Sequence, residues 1–335
     1  MSIRFAAIGF DHPHIFGQVK CLVNAGAELV LYWDSDPVQI AKFRQMFPQG
    51  RLAESIEEIL EDERIDIVTS ASIPDERAPL GIRVMQHGKD YLSDKPAFAS
   101  FVQIAEVKRV QAETRRKFLV MFSERLSNPA TVKAGELVKA GAIGQVVQTV
   151  GFGPHRLFGH EKRARPEWTF HKQRYGGIIN DIGSHQIDQF LFFAGVKSAE
   201  IVTARTANVK FTEYPEFEDF GELLLRSGNA SGFIRVDWYT PDGLPTWGDV
   251  RLLILGTEGY IEVRKNIDLN GKSGGNHLFL ADSNGVQYID CVDHPLPFGV
   301  QLLNDLVTRE ETAITQAHTF TVSELALQAQ AMANG

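Results

Sequence analysis

Residues 3–17 read IRFAAIGFDHPHIFG, and this stretch decides how the first part of the chain folds. The apolar run Ile3–Ile8 is typical of a buried strand, and Gly9 follows it where a tight turn into a helix begins. In a dinucleotide-binding unit such a glycine makes the turn, and the helix N-terminus faces the diphosphate. Gly9 fits that role. Asp11 and His14 stand where further glycines are usual, so the loop taken alone is also explained as a turn capped by Asp11.

His12 and His14 are also candidate metal ligands, because imidazole nitrogens bind transition metals. No third ligand stands near them in the sequence. A helix start with Pro13 in its first turn explains the pair as well. We therefore favour a turn and predict no metal.

Asp34 strengthens the nucleotide interpretation of the loop. It ends the second predicted strand, at about the distance from Gly9 where an acid accepts hydrogen bonds from a ribose hydroxyl. Asp36, directly before Pro37, is the natural N-cap of the next helix, so Asp34 is left without that structural task. Its negative charge should repel a 2′-phosphate, which favours NAD over NADP.

The first third of the sequence alternates short apolar strands with helical patterns. The predicted strands are Ile3–Ile8, Glu28–Trp33, Ile65–Ser70, Asp90–Ser93 and Phe118–Phe122. The predicted helices lie near His14–Ala25, Pro37–Phe47, Ser55–Leu60, Arg77–His87 and Phe101–Thr114. This alternation predicts an α/β fold with an N-terminal Rossmann domain, a doubly wound parallel sheet with helices on both faces.

The pattern changes after about residue 122. A helix near Thr131–Ala140, a strand at Val146–Phe152 and a helix within Ile178–Ala194 precede a series of strands that begins at Glu200. Glycine and Asn-Gly turns separate several of these strands, as hairpins require. We therefore predict a C-terminal α+β domain with a large, mostly antiparallel open sheet, followed by helices at Val300–Leu306 and Val322–Ala333.

Composition limits the classes of function. The chain has 335 residues, 44% of them hydrophobic and 23% charged, as in ordinary globular proteins, and this length suggests two domains. A net charge of −8 opposes nucleic-acid and membrane-surface binding. The two cysteines build no disulfide framework, and no stretch approaches a membrane span or a signal peptide. We predict a cytoplasmic protein whose partner is a small molecule.

Two segments carry groups suited to chemistry. In the first, residues 91–96 (YLSDKP), Lys95 lies at the carboxyl end of a predicted strand, the edge where doubly wound sheets bind ligands. Pro96 favours an extended backbone at Lys95. From this segment alone, a surface lysine beside Asp94 explains the pattern equally well.

The second segment, residues 176–188, reads GGIINDIGSHQID. On a helix, Asp181, His185 and Asp188 share one face, because they are spaced four and three residues apart. A solvated helix face is the plain alternative. It leaves Gly183 unexplained, because glycine inside a helix costs about 1 kcal/mol relative to alanine.

These motifs resemble those of the Gfo/Idh/MocA oxidoreductases, the family of glucose–fructose oxidoreductase and inositol dehydrogenase. That family has an N-terminal Rossmann domain, a Glu-Lys-Pro motif and a later GG…DxGxHxxD motif. This chain has Asp94-Lys95-Pro96 and the segment 176–188 in the same order, along with GAIGQV at 141–146 and Trp168 before the glycine pair. Its glycine loop and Asp94, one methylene shorter than glutamate, depart from the family pattern.

The resemblance implies a Rossmann domain over residues 1–122, a substrate and oligomerisation domain over 123–297, and helices at 298–335 that fold back onto the first domain. It implies that Lys95, Asp181 and His185 meet between the domains. The implied cofactor contacts are Gly9, Phe10, Asp11, His14, Ile15, Asp34, Ser72, Pro74, Asp94 and Lys95. The implied substrate contacts are His155, Arg156, Trp168, Asp181 and His185.

The expected activity is an NAD(P)-dependent dehydrogenase that moves a hydride between nicotinamide and a hydroxyl carbon of a sugar, polyol or related compound. His185 would take the hydroxyl proton, Lys95 would stabilise the developing alkoxide, and Asp181 would orient His185 or hold a substrate hydroxyl. Arg163 and Arg165 line the pocket in this interpretation, although a solvated basic loop explains them equally well.

Two other functions stay open. One is a non-catalytic ligand or cofactor sensor on the same fold. The other is metal-assisted chemistry with ligands drawn from His155, His160, His171, Asp181 and His185. Whatever the activity, we expect a homodimer or homotetramer formed through the C-terminal sheet, because LLILG and FIRVDW on its exposed face alternate too little for a fully solvated surface.

Overall fold

The computed structural model describes residues 2–158 and 165–335. The chain divides into two compact units. The first consists of Met1–Met121 and Pro297–Phe320, and the second of Phe122–Leu296 and Thr321–Gly335. His160 and Arg163, which the sequence suggests as site residues, lie outside the described residues.

The first unit contains a six-stranded parallel sheet in the order β3-β2-β1-β4-β5-β6. Its strands are β1 (Arg4–Ile8), β2 (Glu28–Trp33), β3 (Arg51–Leu52), β4 (Ile67–Ser70), β5 (Asp90–Ser93) and β6 (Phe118–Val120). This order is that of the Rossmann fold, with its topological switch between β1 and β4. The predicted parallel sheet is therefore confirmed; β3 is an additional short strand that carried no sequence signal.

Helices connect these strands: α1 (His14–Asn24), α2 (Pro37–Met46), α3 (Ile56–Glu61), α4 (Pro74–Gln86) and α5 (Phe101–Thr114). Three of them begin at side-chain caps. Asp36 accepts a hydrogen bond from the Val38 amide, as its position before Pro37 predicts. Ser55 and Ser100 cap α3 and α5 in the same way. These caps satisfy amides that have no partner within the helix.

The second unit contains an eight-stranded sheet in the order β14-β13-β12-β11-β7-β10-β9-β8. Its strands are β7 (Val146–Pro154), β8 (Glu200–Ala207), β9 (Phe220–Ser227), β10 (Ala230–Asp237), β11 (Arg251–Gly256), β12 (Gly259–Arg264), β13 (His277–Asp282) and β14 (Gly285–Asp290). Only the β7–β10 pair is parallel among these pairings. The predicted, mostly antiparallel open sheet is confirmed.

The second unit also contains helices. They are α6 (Ser123–Leu126), α7 (Pro129–Lys139), α8 (Lys172–Tyr175) and α9 (Ser184–Ala194), with a 3-10 turn at Glu167–Phe170. Two of them, α7 and α9, pack against the eight-stranded sheet. The predicted helix over 178–194 begins instead with a π-helical turn at Ile179–Gly183, and only then continues as α9. Such turns widen a helix by one residue and are frequent at functional sites.

The last part of the chain contains α10 (Phe298–Thr308) and α11 (Gln316–Ala333). In the first unit, α10 packs closely on α1. A Cβ added at Gly299 would come within 2.8 Å of the Cys21 carbonyl oxygen. Arg309 pairs with Asp90 at 2.5 Å, and the Gln316 side chain accepts a hydrogen bond from the Phe118 amide at 2.9 Å. The first sheet is thus completed by residues from the far end of the chain.

None of the helices described is both long enough and apolar enough to cross a membrane.

Candidate active site

The glycine turn is tightly built. Gly9 has φ +76°, a conformation that favours glycine, and a Cβ there would lie 2.6 Å from that of Ser72. The Gly9 carbonyl accepts from the Ala71 amide, and the His12 amide donates to the Ala71 carbonyl. Because Gly9 and Ser72 follow β1 and β4, the turn lies at the carboxyl edge of the sheet, on the topological switch.

Asp34 is tied into this turn. Its Oδ2 accepts from the Phe10 amide at 2.5 Å, and its Oδ1 accepts from the Asp36 amide at 2.7 Å. Asp34 therefore has a structural task that the sequence did not indicate, because it joins the ends of β1 and β2. It is 8% exposed, and burial raises its pKa, although these backbone amides oppose the rise. Each carboxylate oxygen keeps a further lone pair for a ligand.

A cavity of about 240 Å³ lies beside the turn. Its lining includes Gly9, Asp34 and Ser72, together with two further acids, Asp11 and Glu76. Burial, followed by the charges of Asp34 and Glu76, raises the pKa of Asp11 to about 6. The cavity thus concentrates negative charge beside the glycine turn.

Asp94 is the centre of a polar cluster at the end of β5. It is 1% exposed, and its Oδ1 lies 2.9 Å from His14 Nδ1, while its Oδ2 lies 3.4 Å from His12 Nδ1 and 3.1 Å from the Arg77 guanidinium. Burial acts to raise the pKa of Asp94, but His14, Arg77 and His12 outweigh it and hold that pKa well below its usual range. Burial, and then His14, lower the pKa of His12.

Arg77 is a site residue that the sequence did not indicate. It is 1% exposed on α4, and it donates to the carbonyls of Ser72 at 2.7 Å and of Pro96 at 3.1 Å. It also donates to the Lys95 carbonyl. One guanidinium therefore fixes the loops after β4 and β5, a use of its planar donors that lysine could not match. Its place in the charged run of an amphipathic helix carries no signal for this role.

The other predicted cofactor residues differ in what they present. The side chains of Phe10 and Ile15 are buried in the core, with the Phe10 ring stacked 4.3 Å from that of Phe43. Pro74 is buried at the first position of α4. These three side chains shape the loop, so any contact they make with a ligand comes through the backbone. Lys95 is 4% exposed, so it is not the surface lysine that the sequence also allowed.

In the second unit, Asp181 lies within the π-turn and His185 within the first turn of α9. The Asp181 amide donates to the Gly177 carbonyl at 2.8 Å. His185 is 2% exposed. Asp188 is fully buried and forms a bidentate ion pair with Arg125, in which both N–O distances are 2.7 Å. The helix face that carries Asp181, His185 and Asp188 is therefore not a solvated face, and the role of Asp188 is structural.

The predicted substrate loop is held by its own arginines. Arg156 is buried and donates to the carbonyls of Pro241 and Leu244, at 2.9 and 2.6 Å. Arg165 donates to the carbonyls of Leu157 and Arg156, at 2.7 and 2.8 Å. Burial lowers the pKa of Arg165 and the Asp181 carboxylate opposes this, so the two share one environment.

Aromatic rings border the same loop. The His155 ring lies 4.7 Å from that of Trp247 and 5.5 Å from that of Trp238. The Trp168 Nε1 atom is buried and has no hydrogen-bond partner among the residues described. An indole N–H can only donate, so this atom can bind an acceptor oxygen.

One group among the described residues has ligand atoms close enough to hold a metal: His12, His14 and Asp94. Asp94 is the third donor that the sequence near the histidines lacks. Because its carboxylate is also paired with Arg77, that guanidinium competes with any metal there. His155, His171, Asp181 and His185 form no such group within the described ranges.

Comparison with known proteins assigns the class. Residues 5–122 match the family described as oxidoreductases with an NAD-binding Rossmann fold, and residues 131–262 match the Gfo/Idh/MocA C-terminal domain. The fold agrees with these matches, because the parallel sheet precedes the mostly antiparallel sheet along the chain. The chain belongs to the Gfo/Idh/MocA family of NAD(P)-binding oxidoreductases.

Individual relatives are similar over most of the fold. A crystal structure of a protein classed as an oxidoreductase, from Erwinia carotovora atroseptica SCRI1043, is 46% identical, with a TM-score of 0.95 and 99% of each chain covered. The scyllo-inositol 2-dehydrogenase (NAD(+)) of Bacillus subtilis is 24% identical over 78% of this chain and 73% of its own. D-xylose dehydrogenase of Paenarthrobacter nicotinovorans is 25% identical over 63% of this chain and 54% of its own. The chain thus matches about half of the length of the last relative.

Proposed function

We propose that this protein is an NAD-dependent dehydrogenase that moves a hydride between nicotinamide and a hydroxyl-bearing carbon of a sugar, polyol or related compound. One observation carries the proposal: a buried lysine, Lys95, follows the end of β5 at the same sheet edge as the glycine turn and Asp34. The family order then continues with Asp181 and His185 on the π-turn and α9. Relatives named as inositol and xylose dehydrogenases support a polyhydroxylated substrate.

The proposed mechanism assigns one task to each side chain. His185 takes the hydroxyl proton, because an imidazole titrates near neutral pH. Lys95 donates a hydrogen bond to the alkoxide as its charge develops, and this interaction is strongest in the transition state. Asp181 holds a neighbouring substrate hydroxyl, and the Trp168 indole donates to another. Bound NAD supplies the hydride acceptor.

The residues of the first unit fit the adenosine end of NAD better than its diphosphate. The free lone pairs of Asp34 suit ribose hydroxyls, and the acids of the cavity would repel a 2′-phosphate. Arg83, a cation in the cavity lining, already pairs with Glu57 at 2.7 Å. The loop amides of Gly9, Phe10 and His12 already donate within the protein, so they offer the diphosphate little. We therefore expect the protein to prefer NAD over NADP and to bind NAD with modest affinity.

The first test is thermal stabilisation by NAD and NADP, followed by a panel of polyols and sugars scored by nicotinamide absorbance. A ligand that binds the folded state and not the unfolded state raises the melting temperature, and at equal concentration a tighter ligand raises it more. We expect stabilisation by NAD above that by NADP, and turnover with at least one polyhydroxylated compound. Stabilisation by neither nucleotide would contradict the proposal.

Substitution of Lys95 tests its role in the reaction. Lys95→Ala should reduce turnover by about 100-fold or more, the usual loss when one donor to a developing oxyanion is removed. NAD binding should change little. Lys89→Ala is a matched control, because Lys89 is also buried in this unit, donating to the Asp62 carbonyl just before β5. Equal turnover in the Lys95 variant and the control would remove Lys95 from the mechanism.

Self-association through the second sheet is part of the proposal. Val150, Leu224, Phe233 and Leu253 stand side by side across four paired strands, and each is only half-buried. An apolar row on an open sheet face is typical of an interface. We expect a dimer or tetramer in size-exclusion chromatography with light scattering, and a monomer would contradict this part.

A non-catalytic sensor on the same fold is the second candidate. The crowded acids of the cavity and the engaged loop amides favour it, because both weaken cofactor binding. A protein that binds polyols or sugars but neither binds NAD nor turns over would be a sensor. NAD binding with turnover would exclude that role.

A further inference from the structure

Glu124 is a buried carboxylate that the proposed mechanism does not use. It lies on α6 and is 8% exposed. Its Oε2 accepts from Gln186 at 2.6 Å, from Lys265 at 3.1 Å and from Gln189 at 3.4 Å. Its Oε1 is buried and has no hydrogen-bond partner in the described part of the chain. A carboxylate with one oxygen left over is unusual in a protein interior.

Glu124 is hydrogen-bonded to residues of α9 that lie close to His185. Gln186 is the next residue after His185, and Gln189 lies one turn further on the same helix. The Gln189 amide group donates both to Glu124 and to the His185 carbonyl, the latter at 2.9 Å. A carboxylate on α6 therefore holds the side chains of Gln186 and Gln189, and through Gln189 it is linked to the carbonyl of the proposed base.

Charge, as well as hydrogen bonding, links the two residues. Burial acts to raise the pKa of Glu124, but Lys265, His185 and His155 outweigh it and bring that pKa to about 2. The nearby Arg125 is already neutralised by Asp188. At neutral pH an ionised carboxylate thus faces one ammonium and two imidazoles.

Hydrogen bonding alone does not require a charge here. A glutamine at this position would also accept from Gln186 and Gln189. A buried ion pair such as Glu124–Lys265 commonly stabilises a protein no more than an apolar pair of similar volume. The charge pairs with Lys265, and beyond that pair it can also act on His185 in a way that a neutral amide could not.

We propose that Glu124 is a positioning residue for His185, holding the first turn of α9 and stabilising the imidazolium formed when His185 takes the substrate's hydroxyl proton. The proposal rests on the proposed function for the role of His185 as base. The proton passes from the hydroxyl to the imidazole while the hydride passes to nicotinamide, and Glu124 stays ionised throughout. Lys265 keeps the carboxylate from taking the proton itself.

The decisive measurement is the titration of His185 by NMR in protein labelled with ¹⁵N-histidine, with His185→Gln used to assign the signal. Glu124→Gln retains size and an acceptor oxygen, and its NH₂ group can take the place of Oε1. The His185 midpoint should fall by about one pH unit or more, as expected when an opposite charge nearby is removed. A midpoint equal to that of the wild type would overturn the proposal.

Glu218→Gln is the matched control. Glu218 is also a buried carboxylate of the second unit, and it pairs with Lys172 at 2.5 Å and accepts from the Ile178 amide at 2.9 Å. Its substitution should destabilise the protein and leave the His185 midpoint in place. An equal shift in both variants would mean that general loosening, not Glu124, moves His185, and would also overturn the proposal.

Kinetics give the second reading. The acidic limb of kcat/KM should move to lower pH in Glu124→Gln by the same amount as the NMR midpoint, with the KM for NAD unchanged. If the wild-type enzyme shows no turnover, the proposed function fails, while the NMR midpoint still decides the role of Glu124.

If Glu124→Gln does not fold, Lys265→Met provides the converse test. With the ammonium gone the His185 midpoint should rise, and an unchanged midpoint would refute the proposal.

Discussion

Asp11→Asn should stabilise the protein, and the gain should depend on pH. Asp11 stands in the glycine loop, partly buried beside the carboxylates of Asp34 and Glu76. Its side chain ionises in the folded protein only against burial and the two neighbouring charges. An asparagine of the same shape removes the charge and keeps the volume, so the repulsion disappears without creating a cavity.

The magnitude follows from the raised pKa. The pKa of Asp11 is about 6, against an ordinary value of 3.8, and each pKa unit corresponds to about 1.4 kcal/mol. In this pH range the folded state binds more protons than the unfolded chain, so wild-type stability falls as the pH rises from about 4 to about 6. Above pH 6 the loss reaches up to about 3 kcal/mol. The variant does not suffer this loss.

Calorimetry at several pH values measures the difference. Between pH 7 and 8 the first unit of Asp11→Asn should melt up to about 12 °C higher than in the wild type, at about 2–4 °C per kcal/mol. At pH 4 the two should nearly coincide. Asp36→Asn, at the exposed N-cap of α2, controls for a change of charge outside the cavity. The same advantage for Asp11→Asn at pH 4 and pH 8, or none at pH 8, would refute the reasoning.

Two other substitutions test separate parts of the structure. Asp34→Ala should weaken NAD and narrow the preference over NADP, measured by calorimetric titration with both nucleotides, and an unchanged preference would show that the ribose assignment is wrong. Arg125→Met should lower the stability of the second unit by about 3–5 kcal/mol, because it leaves the buried Asp188 carboxylate without its partner. The double variant Arg125→Met/Asp188→Leu should recover most of this loss in chemical unfolding, and a double variant no more stable than the single one would contradict the explanation.

Local patterns in the sequence predicted the fold well. Short apolar strands alternating with amphipathic helices identified the parallel sheet, and Asp36 before Pro37 identified the start of α2. These signals depend on residues close together in the chain. The first strands were therefore located to within a few residues, although the predicted strand at Phe118–Phe122 ends at Val120.

The sequence did not show contacts between distant residues. Asp94 meets His14 across 80 positions, and Arg125 meets Asp188 across 63. No periodicity reports such pairs, so the sequence placed Asp188 on the same helix face as Asp181 and His185 and did not show its pairing with Arg125. The π-turn at Ile179–Gly183 was not predicted for another reason. An α-helix and a π-turn have nearly the same residue preferences, and the difference is set by packing against the sheet.

The placement of residues 297–320 has a consequence for biosynthesis. The ribosome makes residues 1–121 of the first unit early. The Phe118 amide and the Asp90 carboxylate receive their partners, Gln316 and Arg309, only after residues 122–296 of the second unit have been translated. Domains usually mature in the order of their synthesis. Here the first unit stays incompletely covered until residues 297–320 are made. Translation pauses or premature stops late in the message should therefore harm the unit whose synthesis began first.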